Sequence, residues 1–318
     1  MFSRLLLIFA SIGLIGWLTF KGLSKSDPMT TIGILQTASH PALDQARDGF
    51  MAEMRHLSTK KIDFVVQNAE GSLTQAQSIA ENFHSHKKIT AIFAIGTPAL
   101  QATARAEKQK PIFFAAVSDP EALGIIHPHT NICGTTDQVN TDAQAELILK
   151  LIPQVQTVVL IYNPSENNSQ LMVKKIQASL EKKGLKHHAV GVHSAGEMPQ
   201  AVRAACAKGE AILIPNDNLI ASNITLVAKE AALRHCPLFV SDIALVEKGA
   251  VAAQGAEYAD MGKEAAVMAH QVLFIGFSPE AAGIVHPTHL KTVINKAALK
   301  SLQIELPAEA TPAKAIKE

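Results

Sequence analysis

Five apolar, β-branched runs in this chain each stop at a cluster of small polar residues. AIFAI ends at Gly96-Thr97-Pro98, IFFAAV at Ser118-Asp119-Pro120, VVLIY at Asn163-Pro164-Ser165, AILI at Pro215-Asn216-Asp217-Asn218, and LFV at Ser241-Asp242. A sixth turn, Gln36-Thr37-Ala38-Ser39-His40-Pro41, follows the first short apolar run. Asp119, Asp217 and Asp242 supply carboxylates, Asn163 and Asn218 amides, and Thr97, Ser118 and Ser241 hydroxyls, while no Arg or Lys occurs in these turns. Such a set favours a cationic group on its ligand, and can hold an anionic group through hydroxyls and helix N-terminal N–H donors. An α-amino acid meets both demands. A phosphate ester or dicarboxylate does not, because a doubly charged anion beside several aspartates needs Arg or Lys. Sugars are the competing ligand, since Asp and Asn also suit hydroxyls. Flat aromatic walls for a sugar are scarce, however: the single Trp17 lies in the N-terminal segment, leaving Tyr162, Tyr258 and the phenylalanines.

Each cluster taken alone is also explicable as a helix start, since Ser, Thr, Asp and Asn cap helices and Pro suits the first turn. Their recurrence at corresponding strand ends is what points to a site. Catalysis finds little support. No G-x-S-x-G elbow and no G-x-x-x-x-G-K-[ST] phosphate loop occurs, and no spacing of Ser, His and Asp singles out a triad. His40 could serve as a base, but its place before Pro41 better suits capping or ligand contact.

The elements that must position these turns follow from hydrophobic patterning. Continuous apolar runs read as strands buried on both faces, as in helix-covered parallel sheets, where ligands bind beyond the carboxyl ends of the strands. Strands are expected at 31–35, 62–66, 89–95 and 112–117, separated by helices; the first carries Leu43, Ala46, Phe50, Met54 and Leu57 on one face. The alternation pauses at NICGTTDQ, which marks a lobe boundary, and resumes with a helix from Ala143 to Leu151. Strands at 158–162, 188–192, 211–214, 238–240 and 250–253 then alternate with helices, including one from Ile220 to His235. The fold class is α/β with two parallel-sheet lobes.

The bulk composition bounds the remainder. The 318 residues suit about two domains, and 47% hydrophobic content supplies two cores. A net charge of +1 without a basic block excludes a nucleic-acid footprint. Arg4, the apolar stretch from Leu5 to Phe20 and Lys21 match an export signal or an N-terminal anchor, so the protein is expected to leave the cytoplasm. Cys133, Cys206 and Cys236 can form at most one bridge, match no metal spacing, and read as buried small hydrophobes. No metal and no cofactor are expected.

The segments GILQTASHPALDQARDGF, QNAEGSLTQAQSIA, AIGTPALQATA, AAVSDPEALG, LIYNPSENNSQ, IPNDNLIAS, FVSD, KGAVAAQGAEYADMGKEAA and VINKAALKSL together resemble the ABC-transporter substrate-binding family that includes tryptophan-binding, TrpX-like proteins. The resemblance runs in consistent order from about Thr31 to Pro307. It implies a type I periplasmic-binding-protein fold, with two Rossmann-like lobes, three crossings between them and a ligand enclosed between the lobes. On this reading residues 1–27 are a signal peptide or membrane anchor, and 28–136 form lobe 1 with about 255–287 returning to it. Residues 137–254 form lobe 2 with about 288–306 returning, and 307–318 are a disordered tail. The implied ligand is tryptophan or another aromatic or hydrophobic amino acid, held by Gln36, His40, Thr97, Ser118, Asp119, Asn163, Asp217, Asn218 and Asp242. Asp217 or Asp242 is expected to receive the ammonium, and Thr97 and Ser118 the carboxylate. The implied partner is an ABC permease with a separate ATPase subunit, met by a monomer that is periplasmic and either free or tethered to the inner membrane. A membrane-anchored sensing domain, or a sugar or nucleoside binder of the same fold, is the alternative.

Overall fold

The computed structural model describes residues 29–306 and the backbone of 314–316. The expected export segment, 1–27, lies outside the described residues. Alternation begins at once, because central runs such as β3 and β8 bury both faces and most of the following turns start a helix. The chain runs β1 (Thr30–Gln36), α1 (Pro41–Leu57), β2 (Ile62–Asn68), α2 (Leu73–Ser85), β3 (Ile89–Ile95), α3 (Thr97–Ala106), β4 (Ile112–Val117) and β5 (Ile132–Thr136). It continues through α4 (Thr141–Leu151), β6 (Thr157–Tyr162), α5 (Asn167–Lys182), β7 (Lys186–Gly191), α6 (Met198–Lys208) and β8 (Ala211–Ile214). Next come α7 (Asn218–Ser222), α8 (Ile224–Ala232), β9 (Leu238–Val240), a 3-10 segment (Ile243–Lys248) and β10 (Ala252–Gly255). Last are α9 (Tyr258–His270), a π turn (Gln271–Ile275), α10 (Pro279–Ala282), β11 (Ile284–Val285), β12 (Lys291–Asn295), α11 (Lys296–Ser301) and β13 (Lys314–Ile316).

Two sheets result. One has the order β11-β5-β4-β3-β1-β2 and the other β13-β12-β10-β9-β8-β6-β7, all pairings being parallel except β10 with β12. The chain passes between the lobes three times, after β5, after β10 and after β11. Helix α9 follows a strand of the second sheet yet packs into the core of the first lobe, where Met261, Ala265 and Ala269 join Phe50 and Phe93. The seam between α1 and α9 is tight. A Cβ on Gly49 would lie 2.3 Å from the Ala259 carbonyl oxygen, and one on Gly262 2.0 Å from that of Ala46, so only glycine fits at either place.

The structure departs from the sequence expectations in three places. The pause at NICGTTDQ contains β5, which pairs with β4 at Ile112, Phe113 and Phe114; its central Gly134 hid it, and that glycine is needed because a Cβ would meet the Phe114 carbonyl at 2.2 Å. The single helix expected over 220–235 is two, broken at Asn223, whose φ/ψ of −119°/17° is not helical. In the tail expected to be disordered, Lys314–Ile316 pairs in parallel with β12 as an edge strand.

Candidate functional site

The carboxyl ends of the two sheets meet around one narrow cavity. Its lining includes His40, Thr97, Ser118, Asp217, Asn218 and Asp242, six of the nine residues singled out by sequence. Each arrives just after a strand, and all but Ser118 stand where the next helical element opens. Thr37 anchors the first lobe's share: its hydroxyl donates to the Ile95 carbonyl at 2.9 Å and accepts from the Ala99 amide at 3.1 Å. Gly96 takes a left-handed φ of 89° at the cap of α3; with Pro98 lacking an N–H and the Ala99 amide taken by Thr37, Thr97 carries the remaining first-turn amide donor.

Gln36, Asp119 and Asn163 are not part of the cavity lining. Gln36 is fully buried and is consumed by neighbours, donating to the Ala38 carbonyl at 2.7 Å and to Asp44 at 2.9 Å while accepting from Arg47 at 3.1 Å. Asp119 caps its own turn through the Ala122 amide at 2.9 Å and accepts from Lys175 of the other lobe at 2.7 Å. Burial pushes its carboxyl up, but the Lys175 bond and the Ala122 amide bring it below the usual carboxylate value. Asn163 donates its amide N–H to Asp217 and accepts from the Ser165 amide at 2.9 Å, a turn-forming role.

Within the lining, Asp217 is also occupied. It accepts from the Ile220 amide at 3.0 Å and the Ser169 hydroxyl at 2.6 Å besides Asn163. Burial, with the charge of Glu166 nearby, raises it to about 7. Glu166, which the sequence reading passed over, gathers the second lobe's turns by accepting from the Asn218 and Leu219 amides at 3.1 and 3.0 Å and from the Asn218 side chain at 2.5 Å.

That last bond fixes the Asn218 amide, so its Oδ1 faces His40 Nε2 at 3.3 Å across the lobes. His40 must then donate through Nε2, which leaves its buried Nδ1 as an acceptor. Burial holds His40 below the usual imidazole value, keeping it neutral.

Three further lining residues, Asp137, Asn168 and Asn216, lie outside the nine singled out by sequence. Asp137 follows β5, and its carboxylate receives the Ser118 hydroxyl and, at 3.2 Å, the Tyr258 hydroxyl. Burial raises Asp137 to about 6, and burial likewise raises Asp242 to about 7, with the charge of Asp137 adding to the latter. Asn216 donates to the Asp137 carbonyl at 3.3 Å, and Asn168 donates to the Asn216 carbonyl at 2.9 Å. With donors so committed, the buried His40 Nδ1, Asp137 Oδ1, Asn168 Oδ1 and Asn216 Oδ1 have no hydrogen-bond partner among the described residues. All four are acceptors, all belong to the cavity lining, and none of that lining is Lys or Arg. Buried polar atoms are otherwise nearly always paired. The cavity therefore asks for a ligand with several N–H or O–H donors and a positive charge, and an ammonium has three such donors.

Ala116 completes the wall. A register shift between Phe114 and Val117 bulges β4 toward the site, and Ala116 holds a left-handed φ of 59°. Strain of this kind persists where surrounding structure over-determines it, commonly at binding sites.

Residues 31–316 match the family described as ABC transporter substrate binding protein. A tyrosine-binding protein of Clostridioides difficile is 33% identical over 294 residues, covering 89% of this chain and 83% of the relative. The crystal structure of an ABC domain in complex with L-Trp from Streptococcus pneumonia is 30% identical with a TM-score of 0.87, covering 91% of this chain and all of that one. The ligand-free, open structure of a Clostridium difficile substrate-binding protein with adhesive properties is 34% identical, yet its TM-score is 0.68 over 91% of this chain and 99% of the other. On the family match and these relatives, the chain belongs to the ABC transporter substrate-binding proteins.

Proposed function

We propose that the protein is the extracytoplasmic solute receptor of an ABC importer and that its ligand is an aromatic or large hydrophobic α-amino acid. The observation that carries this reading is the set of unpaired buried acceptors around the cavity, which suits an ammonium seated between Asp137 and Asp242. Thr97 at the start of α3 suits the carboxylate, and Leu43, Ala116, Leu245 and Tyr258 offer an apolar surface to the side chain. The tyrosine and tryptophan named for the relatives above support the aromatic class. Delivery would be to a membrane permease with a separate ATPase subunit, from the periplasm, by a free or tethered monomer. Among the described residues no helix is long and apolar enough to cross a membrane.

Closure about the three crossings is the conformational part of the reading. At nearly equal identity, the chain superposes far better on the tryptophan complex than on the open, ligand-free relative. Bonds from His40 to Asn218, Asp119 to Lys175 and Asn216 to the Asp137 carbonyl span the lobes. Hinge motion is a common response of two-lobe receptors to a ligand.

The test is a thermal-shift series with L-tyrosine, L-tryptophan and L-phenylalanine against their deaminated acids, glucose and adenosine. At a hundredfold excess over Kd the right amino acid adds about 2.7 kcal/mol, roughly 5 °C, and its deaminated analogue adds nothing. A shift with glucose or adenosine and none with any amino acid overturns the proposal. Lys175→Met is expected to release ligand up to about fivefold faster, since Lys175 is 41% exposed and such rim pairs contribute about 0.2–1 kcal/mol. Stopped-flow dissociation reads this directly, and an unchanged off-rate would remove the Asp119 pair from the closing interaction.

A further inference from the structure

Two of the three cysteines meet in the second lobe. Cys206 lies near the end of α6, and Cys236 follows the left-handed turn at His235 that ends the α8 region, where the Cys236 amide donates to the Ala231 carbonyl at 3.0 Å. Cys236 is buried in the core cluster against which Cys206 packs half-buried, and both are free cysteines whose thiols lie close enough to influence one another's ionisation. Cys133 belongs to the core of the other lobe.

We propose that Cys206 and Cys236 form an oxidisable pair that closes to a disulfide when the protein meets a disulfide-type oxidant, stapling α6 to the turn before β9. The inference is independent of what the cavity binds. The roles of the two sulfurs differ. Interaction with Cys236, with the Arg234 charge nearby, holds the Cys206 thiol below its ordinary value, whereas interaction with Cys206 and burial push Cys236 up. Cys206, the more accessible, is the attacking thiolate. It forms an S–S bond with one sulfur of the oxidant as the oxidant's own S–S bond breaks, and one thiolate leaves. Cys236 then gives up its proton and attacks the Cys206 sulfur of this mixed disulfide, which expels the second thiolate. Both protein thiol protons pass to solvent or to the leaving thiolates, the protein loses two electrons, and one disulfide is reduced to two thiols. Neither cysteine belongs to the cavity lining, so the staple acts on the stability of the second lobe rather than on ligand contacts.

The experiment incubates the full chain in glutathione buffers poised at about −180 to −210 mV, the range of an oxidising secretory compartment. Unreacted thiols are then alkylated in denaturant and the intact mass is measured. One alkylated cysteine is expected, with a tryptic cross-link joining the Cys206 and Cys236 peptides, and the oxidised form should melt roughly 5 °C above the reduced one. Cys236→Ser should trap a glutathione adduct on Cys206 that wild type does not accumulate, and Cys133→Ser should still form the bridge. Three alkylated cysteines throughout that range, a cross-link involving Cys133, or equal glutathione adducts in wild type and Cys236→Ser would each overturn the proposal.

Discussion

Replacing Asp137 by asparagine weakens amino-acid binding by roughly 30- to 3000-fold while raising the melting temperature of the ligand-free protein. The first effect follows from removing the counter-charge of a buried ammonium, a loss of about 2–5 kcal/mol at 1.4 kcal/mol per tenfold. The second follows because Asp137 is a buried acid beside a second one, Asp242, with no cation in the cavity lining. A neutral amide of the same shape keeps the bonds from Ser118 and Tyr258 within reach and removes that repulsion. Opposite signs in calorimetric affinity and thermal stability separate a lost ligand contact from a damaged fold. Unchanged affinity would show that the ammonium sits elsewhere.

Lowering the pH from 7 to 5 is expected to weaken binding, by up to tenfold per pH unit for each proton that binding displaces. Asp137 and Asp242 sit at about 6 and about 7 in the folded, ligand-free chain against an ordinary 3.8. An ammonium between them favours their ionised forms, so binding near pH 6 releases protons. Isothermal titration in buffers of differing ionisation enthalpy reads the number released, and zero release would sink the expectation. Stability of the empty protein moves the other way. Between about pH 4 and 7 the folded chain retains protons that the unfolded chain has lost, so these two acids make the empty protein less stable as the pH rises through that window. Asp119 and Glu107, both held low, contribute stability above the ordinary carboxylate range and lose it as pH falls through their lowered values, outside the window where binding changes.

Sequence revealed the lobes because burying both faces of β3, β4, β8 and β9 leaves an unmistakable apolar run, and it revealed the turns because a ligand site in such sheets must follow those runs. It was a weaker guide to which polar residue faces inward. Asp217 and Asn163 look like Asp242 and Thr97 in one dimension, yet Asp217 spends its oxygens on backbone amides and a serine, and Asn163 turns away to shape its own loop. Asp137 was hidden by its strand: β5 is short, carries a glycine, and lacks the β-branched run that flagged the others. Read as a strand, ICGTT puts Asp137 on a strand-end turn like the others. Asn216 stood inside a flagged cluster, and Tyr258 among the candidate aromatic residues. Glu166 left no such signal, since its importance comes from amides that only the folded turn gathers.

The glycine seam between α1 and α9 also bears on how the molecule is made. The first lobe does not own a contiguous stretch of chain: its core needs Met261, Ala265 and Ala269, and its sheet needs β11 at its edge. A ribosome delivers those segments only after nearly all of the second lobe has emerged. The N-terminal half therefore waits, part-built and with one side of α1 uncovered, for a helix synthesised some two hundred residues later. For a chain that must be threaded across a membrane, that interval is when it can still be threaded.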